Sequence, residues 1–200
     1  MADTYADVLG AWDQALEEDI HPLWSVDRDA YWQSGWDQAA EAAEHAKKGA
    51  LVVDFGCGNG RLTVPLARLG FQVVAADASQ RMLDLTAATV KAAGVQAELI
   101  RTDGSDLARR LRKRRAGLIV ARAVMIHHAP EDVERLLGNL AAATKRGGVI
   151  VTDLPMGEEG YARTHWRDVT RWTRADRSAM VARLGLAEVA DGDVAVLRKQ

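Results

Sequence analysis

The stretch "LVVDFGCGNGRLTVPLARLGFQVVAADAS", residues 51–79, sets the expected fold. It opens with an apolar run that ends in a loop holding three glycines, Gly56, Gly58 and Gly60, and a helical pattern follows. A second apolar run then ends at an acid, Asp77. Strand, loop, helix and strand in this order predict a βαβ unit, in which the loop and the acid meet beyond the carboxyl ends of neighbouring strands.

The glycine loop and Asp77 together favour a nucleoside ligand. Glycines permit positive φ angles and let a ligand approach the backbone, and the helix that follows presents free N–H groups. A carboxylate at Asp77 can accept two hydrogen bonds from a ribose diol. The spacing is G-x-G-x-G, with Asp54 two residues before the first glycine, whereas dinucleotide-binding proteins use G-x-G-x-x-G. The alternative is a tight turn next to a surface acid.

The rest of the chain alternates between apolar runs of strand length and helical patterns. This alternation predicts parallel strands joined by crossover helices, hence an α/β sheet covered on both faces. The apolar runs fall at 51–55, 72–76, 96–101, 117–122 and 148–153, and the helical patterns at 60–69, 80–93, 104–115 and 130–145.

Both ends of the chain depart from this alternation. Two amphipathic helices are expected at about 4–19 and 29–48. Near the other end, Thr173 is suited to cap a helix that Gly185 closes. Two short apolar runs then flank the turn sequence D-G-D at 191–193 and predict a hairpin. The last strand should therefore run antiparallel to its partner.

Composition fits one domain spanning residues 1–200. Hydrophobic residues make up 48% of the chain and charged residues 27%, as in an ordinary globular protein. The single cysteine, Cys57, excludes an intramolecular disulfide and fits a reducing compartment. No stretch approaches the ~20 apolar residues that a membrane helix needs, and no signal segment is evident. We therefore expect a cytoplasmic protein with no membrane association.

Residues 51–79 resemble motif I, and the acidic position after it, of the class I S-adenosylmethionine (SAM) dependent methyltransferases. The resemblance covers about residues 50–198, and "RWTRADRSAMVARLGLAEV" is similar to the helix and strand that close many small-molecule members. It implies a Rossmann-like, doubly wound sheet of seven strands, mostly parallel with the last strand antiparallel, plus amino-terminal helices. Residues 1–48 would form a helical lid or substrate region on a 50–200 core. SAM would be the cofactor and S-adenosylhomocysteine the product.

The resemblance also implies a role for each residue that matches the family's cofactor site. The methionine part of SAM would be surrounded by Asp54, Gly56, Cys57, Gly58 and Gly60, with Arg122 and Ala123 lining its end. The ribose would bind Asp77, and the adenine would lie beside Ala78, Met82, Asp103 and Gly104.

Two of these assignments have alternatives. Arg122 departs from the small or polar residues common at its position in the family, so it could instead point away or meet a carboxylate. Asp103 could cap the helix that begins with "LARRLRKRR". That cap is compatible with a contact to the adenine amino group.

His127 and His128, in the loop after the fourth strand, are the candidates for a general base. SAM presents an electrophilic methyl group, so the protein mainly aligns the acceptor atom, and a hydroxyl acceptor also needs a base. Imidazole suits proton removal near neutral pH. The alternative is a helix-entry turn before Pro130 with one histidine packed and one solvated. Between the two, His127 is slightly favoured.

Two aromatic segments are expected to wall the acceptor pocket. The long connection after the fifth strand and the second amino-terminal helix both carry them, and long loops in compact domains often line a site. The alternative is that the aromatic side chains only pack helices onto the sheet. The candidates are Tyr161, His165 and Trp166 in the connection and Tyr31, Trp32 and Trp36 in the helix.

Several motifs of other methyltransferases are absent from the sequence. The loop after the fourth strand has "ARAVMIHH" in place of an Asn/Asp-Pro-Pro-aromatic segment, and no Pro-Cys pair offers a thiol nucleophile. No zinc or magnesium pattern occurs, so no metal is expected. The sequence therefore favours methyl transfer to an oxygen or nitrogen of a small-molecule acceptor. A SAM-binding protein without activity and a nicotinamide oxidoreductase remain alternatives, and the chain is expected to be a monomer or a homodimer.

Basic segments raise a further alternative, an RNA methyltransferase. Residues 1–50 carry 3 basic and 11 acidic side chains, whereas residues 101–200 carry 19 and 13. The run "RRLRKRR" at 109–115 lacks the interleaved aromatic residues that stack on bases, and the pI of about 6.2 is not that of a nucleic-acid-binding domain. Solvated helix faces are therefore favoured. A second basic row comprises Arg163, Arg167, Arg171 and Arg174, with Arg177 nearby.

Overall fold

Seven strands form one sheet with helices on both faces in the computed structural model, which describes residues 4–16, 21, 23–157, 169–190 and 192–200. The strands are β1 (Leu51–Phe55), β2 (Gln72–Asp77), β3 (Glu98–Arg101), β4 (Ala116–Ala121), β5 (Thr144–Asp153), β6 (Leu186–Ala190) and β7 (Val194–Lys199). The helices are α1 (Tyr5–Gln14), α2 (Arg28–Ala43), α3 (Thr63–Arg68), α4 (Gln80–Ala92), α5 (Leu107–Arg110), α6 (Pro130–Ala143) and α7 (Arg174–Arg183).

The strand order is β3-β2-β1-β4-β5-β7-β6. Strands β1 to β5 pair in parallel, whereas β7 lies between β5 and β6 and is antiparallel to both. The predicted sheet of seven strands, mostly parallel with a reversed last strand, is confirmed. The chain leaves β1 toward one edge of the sheet and β4 toward the other, so a crevice opens between the carboxyl ends of these two strands, where ligands bind in such sheets.

The central strands β1 and β4 carry the core. Every residue of β4 is buried, and neighbouring side chains of a strand alternate between the two faces of the sheet. On one face Val53 and Ile119 pack in a cluster that includes Leu136 of α6. On the other face Val52 packs with Leu66 of α3. Both faces are therefore covered, as the alternation of strands and helices predicted.

Helices α1, α2 and α5 are at least four residues shorter than their sequence patterns indicated. α1 ends at Gln14 and α2 at Ala43. α5 covers only Leu107–Arg110 of the expected 104–115, and Arg112 then turns the chain with a φ of 58°. The arginine-rich run that begins in α5 therefore does not form one helical face.

The unit at the carboxyl end matches its prediction. The Thr173 hydroxyl accepts a hydrogen bond from the Asp176 N–H at 3.2 Å and so caps α7. Gly185 follows the helix with a φ of 65°, and β6 and β7 then pair as a hairpin. None of the described helices is long and apolar enough to cross a membrane.

Helix α2 approaches the glycine loop closely, and Gly35 makes this possible. The buried residues of α2 include Tyr31, Gly35 and Ala39, which recur at intervals of four along one side of the helix. A Cβ atom at Gly35 would lie 2.5 Å from the carbonyl oxygen of Arg61 and 2.5 Å from its Cγ. The helix can therefore pack here only without a side chain.

We expect Gly35→Ala to destabilise the protein. The methyl group would meet the backbone of Arg61, and overpacking of this kind costs about 1–3 kcal/mol. Gly10→Ala is the matched control, because a Cβ at Gly10 of α1 meets no atom within 4 Å and alanine favours a helix by about 0.5–1 kcal/mol. Urea unfolding measures both free energies. Equal stability of the two variants would contradict this packing.

The carboxyl group of Asp54 is buried in β1. The residue is 3% exposed, and its carboxylate accepts a hydrogen bond from the Thr63 hydroxyl. Burial raises the pKa of Asp54 to about 6, because the charged form loses its hydration. Hydrogen bonds from Thr63 and the charge of Arg61 do not offset that loss, so Asp54 costs stability when it is ionised.

Asp54→Asn should change how stability depends on pH. Between about pH 4, near the ordinary pKa of the unfolded side chain, and about pH 6, the folded protein binds more protons than the unfolded chain. The free energy of unfolding of the natural protein should therefore fall relative to that of the variant as the pH rises through this range. Asparagine can still accept the Thr63 bond. Urea unfolding at each pH tests this, and parallel pH curves would contradict it.

Candidate active site

A cavity lies at the carboxyl ends of β1, β2 and β4, in the crevice where the strand order reverses. Its floor is the glycine loop between β1 and α3. One side carries Asp77 and Met82, and the opposite side carries Arg122. Helix α1 covers the cavity with Tyr5 and Trp12.

The glycine loop presents bare backbone to the cavity. Gly56, Gly58 and Gly60 have φ angles of 73°, 55° and 87°, a region in which other residues are strained. The N–H groups of Gly56 and Cys57 both donate to the carbonyl of Ala76, at 2.8 and 3.1 Å, and so fix the loop to β2. The turn is therefore built by its glycines and held by the neighbouring strand.

Asp77 is fixed by one backbone donor on each carboxylate oxygen. The Gly58 N–H donates to Oδ2 at 3.0 Å, and the Ser79 N–H donates to Oδ1 at 2.9 Å. Burial raises the pKa of Asp77 to about 6 despite these bonds. Each oxygen can accept a further hydrogen bond, so the group can receive two hydroxyl donors from a diol.

The wall beside Asp77 is formed by Ala78, Met82 and Asp103. The Asp103 carboxylate accepts from the N–H and hydroxyl of Ser105, at 2.9 and 2.6 Å, and so closes a local turn. It does not cap α5, which begins after Asp106. Hence the alternative of a helix cap at Asp103 is wrong, and the residue lies on the cavity as the resemblance implied.

Gly60 and Gly104, two of the expected cofactor residues, pack against neighbouring elements and are not among the residues that line this cavity. A Cβ at Gly60 would face Thr86 at 3.5 Å. A Cβ at Gly104 would lie 2.5 Å from Leu136 and 3.1 Å from Phe55. These two glycines let neighbouring elements pack closely. Cys57 does line the cavity, and burial raises the pKa of its thiol well above the ordinary range, which keeps it neutral.

Arg122 meets a carboxylate, as one of its two alternatives proposed. Its Nε and Nη2 atoms both lie within 3.1 Å of Asp153 Oδ1. The backbone N–H of Ala123 donates to the same carboxylate, and Ala123 has a φ of 55°. Both residues line the cavity. Asp153 thus joins the ends of β4 and β5.

His128, rather than His127, lies on the cavity wall. His128 is 4% exposed, and its ring centroid is 4.9 Å from that of Tyr5. The ring of His127 is instead 5.5 Å from Trp12. His127 ends a 3₁₀ turn over Met125–His127, whereas His128 has an extended backbone with φ −116° and ψ 154°, so the two imidazoles point in different directions. The slight preference for His127 therefore does not agree with the geometry.

Of the three aromatic residues expected from α2, only Tyr31 lines the cavity. Its hydroxyl donates to Asn59 Oδ1 at 2.7 Å. Trp32 packs 6.0 Å from Trp24, and Trp36 is 38% exposed. Each of these tryptophans follows directly after a buried residue of α2. Because successive helix residues are about 100° apart, both lie to one side of the buried face. The expected Tyr161, His165 and Trp166 lie outside the described residues.

Sequence reasoning missed two sets of cavity residues. Tyr5, Leu9 and Trp12 of α1 line the cavity, and their spacing of four and three was a visible signal of one helical face. Asn59 and Arg61 belong to the glycine loop that was quoted at the outset. No group of three His, Cys, Asp or Glu side chains suited to a metal ion occurs in the described part of the chain.

Known proteins that are similar to this chain are methyltransferases. Residues 52–148 match the family model described as "Methyltransferase domain". The ubiquinone biosynthesis O-methyltransferase of Rhizobium etli is 33% identical over 106 residues, which cover 52% of this chain and 40% of that protein. The magnesium-protoporphyrin O-methyltransferase of Synechocystis is 31% identical over 49% of this chain and 42% of that protein. The chain thus spans about two fifths of the length of these curated relatives.

Solved structures share the fold over nearly the whole chain. A 1,6-didemethyltoxoflavin-N1-methyltransferase of Burkholderia thailandensis, with S-adenosylhomocysteine bound, gives a TM-score of 0.74 at 16% identity, covering 98% of this chain and 89% of its own. The Synechocystis magnesium protoporphyrin IX methyltransferase, also with S-adenosylhomocysteine, gives 0.68 at 20% identity, covering 98% and 94%. Residues 52–148 therefore match a methyltransferase domain, and the chain shares the fold of these SAM-dependent methyltransferase structures.

Proposed function

We propose that this protein is a SAM-dependent methyltransferase that moves a methyl group to an oxygen or nitrogen of a small-molecule acceptor. The observation that carries the proposal is the orientation of Asp77 beside a bare glycine loop. Its two oxygens each accept a hydrogen bond from a backbone N–H, and the residue lies on the cavity, where a carboxylate can accept further hydrogen bonds. That arrangement suits the ribose diol of an adenosine group.

The other residues of the cavity fit the rest of this cofactor. Met82 and Ala78 offer apolar surface for an adenine ring, and Asp103 offers acceptor oxygens beside them. Asp54, Gly56, Cys57 and Gly58 would face the methionine part. When bound, SAM supplies an electrophilic methyl group on its sulfonium. The chain's own task is then to hold the acceptor in line and to exclude water.

His128 is proposed as the general base for a hydroxyl acceptor. Of the two histidines that follow β4, it is the one on the cavity wall, close to Tyr5 of α1. Its role would be to take the proton of the acceptor hydroxyl as the new bond forms. An amine acceptor that arrives neutral needs no base. Loss of His128 would therefore slow methyl transfer to nitrogen less than methyl transfer to oxygen.

The covering helix favours a small acceptor over RNA. The Tyr5 hydroxyl donates to the Asp103 carbonyl at 2.7 Å, and the guanidinium of Arg135 lies 4.4 Å from the Tyr5 ring centroid. These contacts hold α1 over the cavity. A base in a long RNA would have to displace this helix, so the covered cavity is better suited to a small acceptor. We therefore propose that α1 and α2 form the lid over the acceptor.

The basic segments do not resemble a phosphate-binding surface. Arg109 and Arg110 both pair with Asp106 at 2.7 Å, and Arg114 pairs with Glu98 at 2.7 Å. The second basic row does not form a continuous exposed surface in the described residues either. Arg177 is 1% exposed and bonds to Leu154 and Gly192 carbonyls and to Glu188, while Arg163 and Arg167 lie outside the described residues.

The relatives support both oxygen and nitrogen as acceptor atoms. The names of the curated relatives describe O-methyltransferases, whereas the structural neighbour from Burkholderia thailandensis is an N1-methyltransferase. All three names refer to small molecules. A SAM-binding protein without activity would bind the cofactor but transfer no methyl group, so turnover distinguishes it from the proposal.

Asp77→Ala should weaken the binding of S-adenosylhomocysteine at least tenfold. The variant loses hydrogen bonds between a carboxylate and two hydroxyls, which are worth about 1.5–3 kcal/mol. Isothermal titration calorimetry measures the dissociation constant. Asp84→Ala is the control, since it removes the same charge from the exposed side of α4. If Asp77→Ala binds as tightly as the control, the ribose does not lie at Asp77.

His128→Ala should lower kcat about 10²–10⁴-fold for a hydroxyl acceptor without weakening S-adenosylhomocysteine binding. Turnover is measured as the formation of S-adenosylhomocysteine from SAM in the presence of a panel of phenolic and catecholic acceptors. His127→Ala is the comparison and should lose much less. The pH–rate profile of His128→Ala should lack the limb that reports the base. An unchanged profile would exclude His128 from that role.

A further inference from the structure

His21 also lines the cavity, just ahead of the turn that leads into α2. Its Nδ1 atom accepts a hydrogen bond from the Leu23 N–H at 3.1 Å. A ring nitrogen that accepts a hydrogen bond carries no proton, and a neutral imidazole then holds its proton on the other nitrogen. The bond from Leu23 therefore makes Nε2 of His21 a hydrogen-bond donor.

The surroundings of His21 keep its imidazole neutral. Burial lowers the pKa of His21, and the positive charge of Arg61 acts in the same direction. Protonation of Nδ1 would also set two N–H groups against each other, because Leu23 already donates to that atom. With Nδ1 occupied and Nε2 protonated, the ring is unsuited to act as a general base. The group that it can offer to a ligand is the Nε2–H.

The ring of His21 packs against Tyr31, which is itself held in place. The two ring centroids lie 5.4 Å apart, at an interplanar angle of 57°. Tyr31 is 1% exposed, its hydroxyl donates to Asn59, and the ring of Trp24 meets it edge-on at 5.0 Å. The Leu23 bond and the Tyr31 contact together restrict the directions in which Nε2 of His21 can donate.

His21 belongs to the cover of the cavity and not to its floor. Ala42, near the end of α2, belongs to the core cluster of Val52, near the beginning of β1. Tyr31, near the beginning of α2, bonds to Asn59 in the loop after β1. Helix α2 therefore runs opposite to the parallel strands, and it begins beyond their carboxyl ends. His21 precedes this helix and contacts Tyr31 from there.

We propose that His21 is a specificity-determining residue that donates a hydrogen bond from Nε2 to an oxygen of the methyl acceptor. This rests on the proposed function, in which the cofactor occupies the floor beside the glycine loop and Asp77, and the acceptor lies beneath the covering helices. The acceptor then carries an oxygen besides the atom that is methylated, as a carbonyl, ether or hydroxyl group. His128 and His21 act on different atoms of it: one removes a proton, and the other binds the second oxygen.

Asparagine and glutamine separate the two ring nitrogens of His21. An asparagine side chain accepts from the backbone N–H two residues on, as Nδ1 does here, but its amide ends nearer the main chain than Nε2. Glutamine reaches farther with an amide donor but gives up the bond from Leu23. His21→Asn should therefore keep the melting temperature of the natural protein and lose the donor. His21→Gln should melt at a lower temperature and keep the donor.

Hydroxyacetophenones and ethylphenols are the acceptor probes, because each matched pair differs only by a carbonyl oxygen in place of two hydrogens. Selectivity is the ratio of kcat/KM for the ketone to that for the ethylphenol, measured as formation of S-adenosylhomocysteine from SAM. The intrinsic reactivity of each phenol is the same for every variant, so a change in this ratio reports a contact with the protein.

The natural protein should prefer the ketone in at least one pair, and His21→Asn should lower that preference about three- to tenfold, the effect of one hydrogen bond. His21→Gln should keep most of it. His45→Asn is the control, because His45 follows α2 and is not among the residues that line the cavity. Calorimetry should give the same affinity for S-adenosylhomocysteine in all of these proteins. Long-range ¹H–¹⁵N spectra of the natural protein should show the His21 proton on Nε2, with His21→Asn identifying the resonance.

Several results would overturn this role for His21. They are a natural protein that methylates none of these phenols or shows no preference for a ketone, an unchanged preference in His21→Asn, and a His21 proton on Nδ1. Loss of the preference in His21→Gln but not in His21→Asn would limit the residue to the turn before α2. Weaker binding of S-adenosylhomocysteine to His21→Asn would overturn the proposal in favour of a contact with the cofactor. If the natural protein binds no S-adenosylhomocysteine at all, the proposed function itself fails.

Discussion

The hydrogen bond from the Gly58 N–H to the Asp77 carboxylate joins the loop after β1 to the end of β2, and the site depends on it. Gly58 can offer its N–H in this direction because it adopts a φ of 55°. Burial raises the pKa of Asp77 to about 6, so the group is destabilised when no ligand contacts it. A ligand that donates hydroxyl hydrogen bonds to the Asp77 carboxylate offsets this destabilisation. Because the Gly58 N–H orients the same carboxylate, ligand binding depends on the conformation of the loop.

The amino-terminal helices complete a site that the sheet only begins. α2 packs on the loop because Gly35 has no side chain, and this closeness brings its polar residues to Arg61. α1 covers the opening through Tyr5, which bonds to the Asp103 carbonyl. The sheet and its loops thus form one part of the cavity wall, and the two amino-terminal helices form the rest.

Much of the fold could be predicted from the sequence, because it depends on local signals. Strand β1, the capped helix α7 and the reversed strand β7 all follow from apolar runs, a capping threonine and turn residues near one another in the chain. Helix ends were less certain. α5 is short because Arg112 leaves the helical conformation, and an arginine-rich sequence that favours helices gives no sign of this.

The sequence by itself determined the order of the strands' apolar runs, the glycine loop and the acid that follows it, because neighbouring residues fix these features. Only the tertiary structure decided which side chains face the cavity. It placed His128 rather than His127 on the cavity wall, kept Trp36 at the surface, and put Tyr5 and Trp12 of α1 on the cavity. The reason is geometric: a side chain's direction depends on the turn of its helix or loop and on elements far away in the chain, such as α2 against β4.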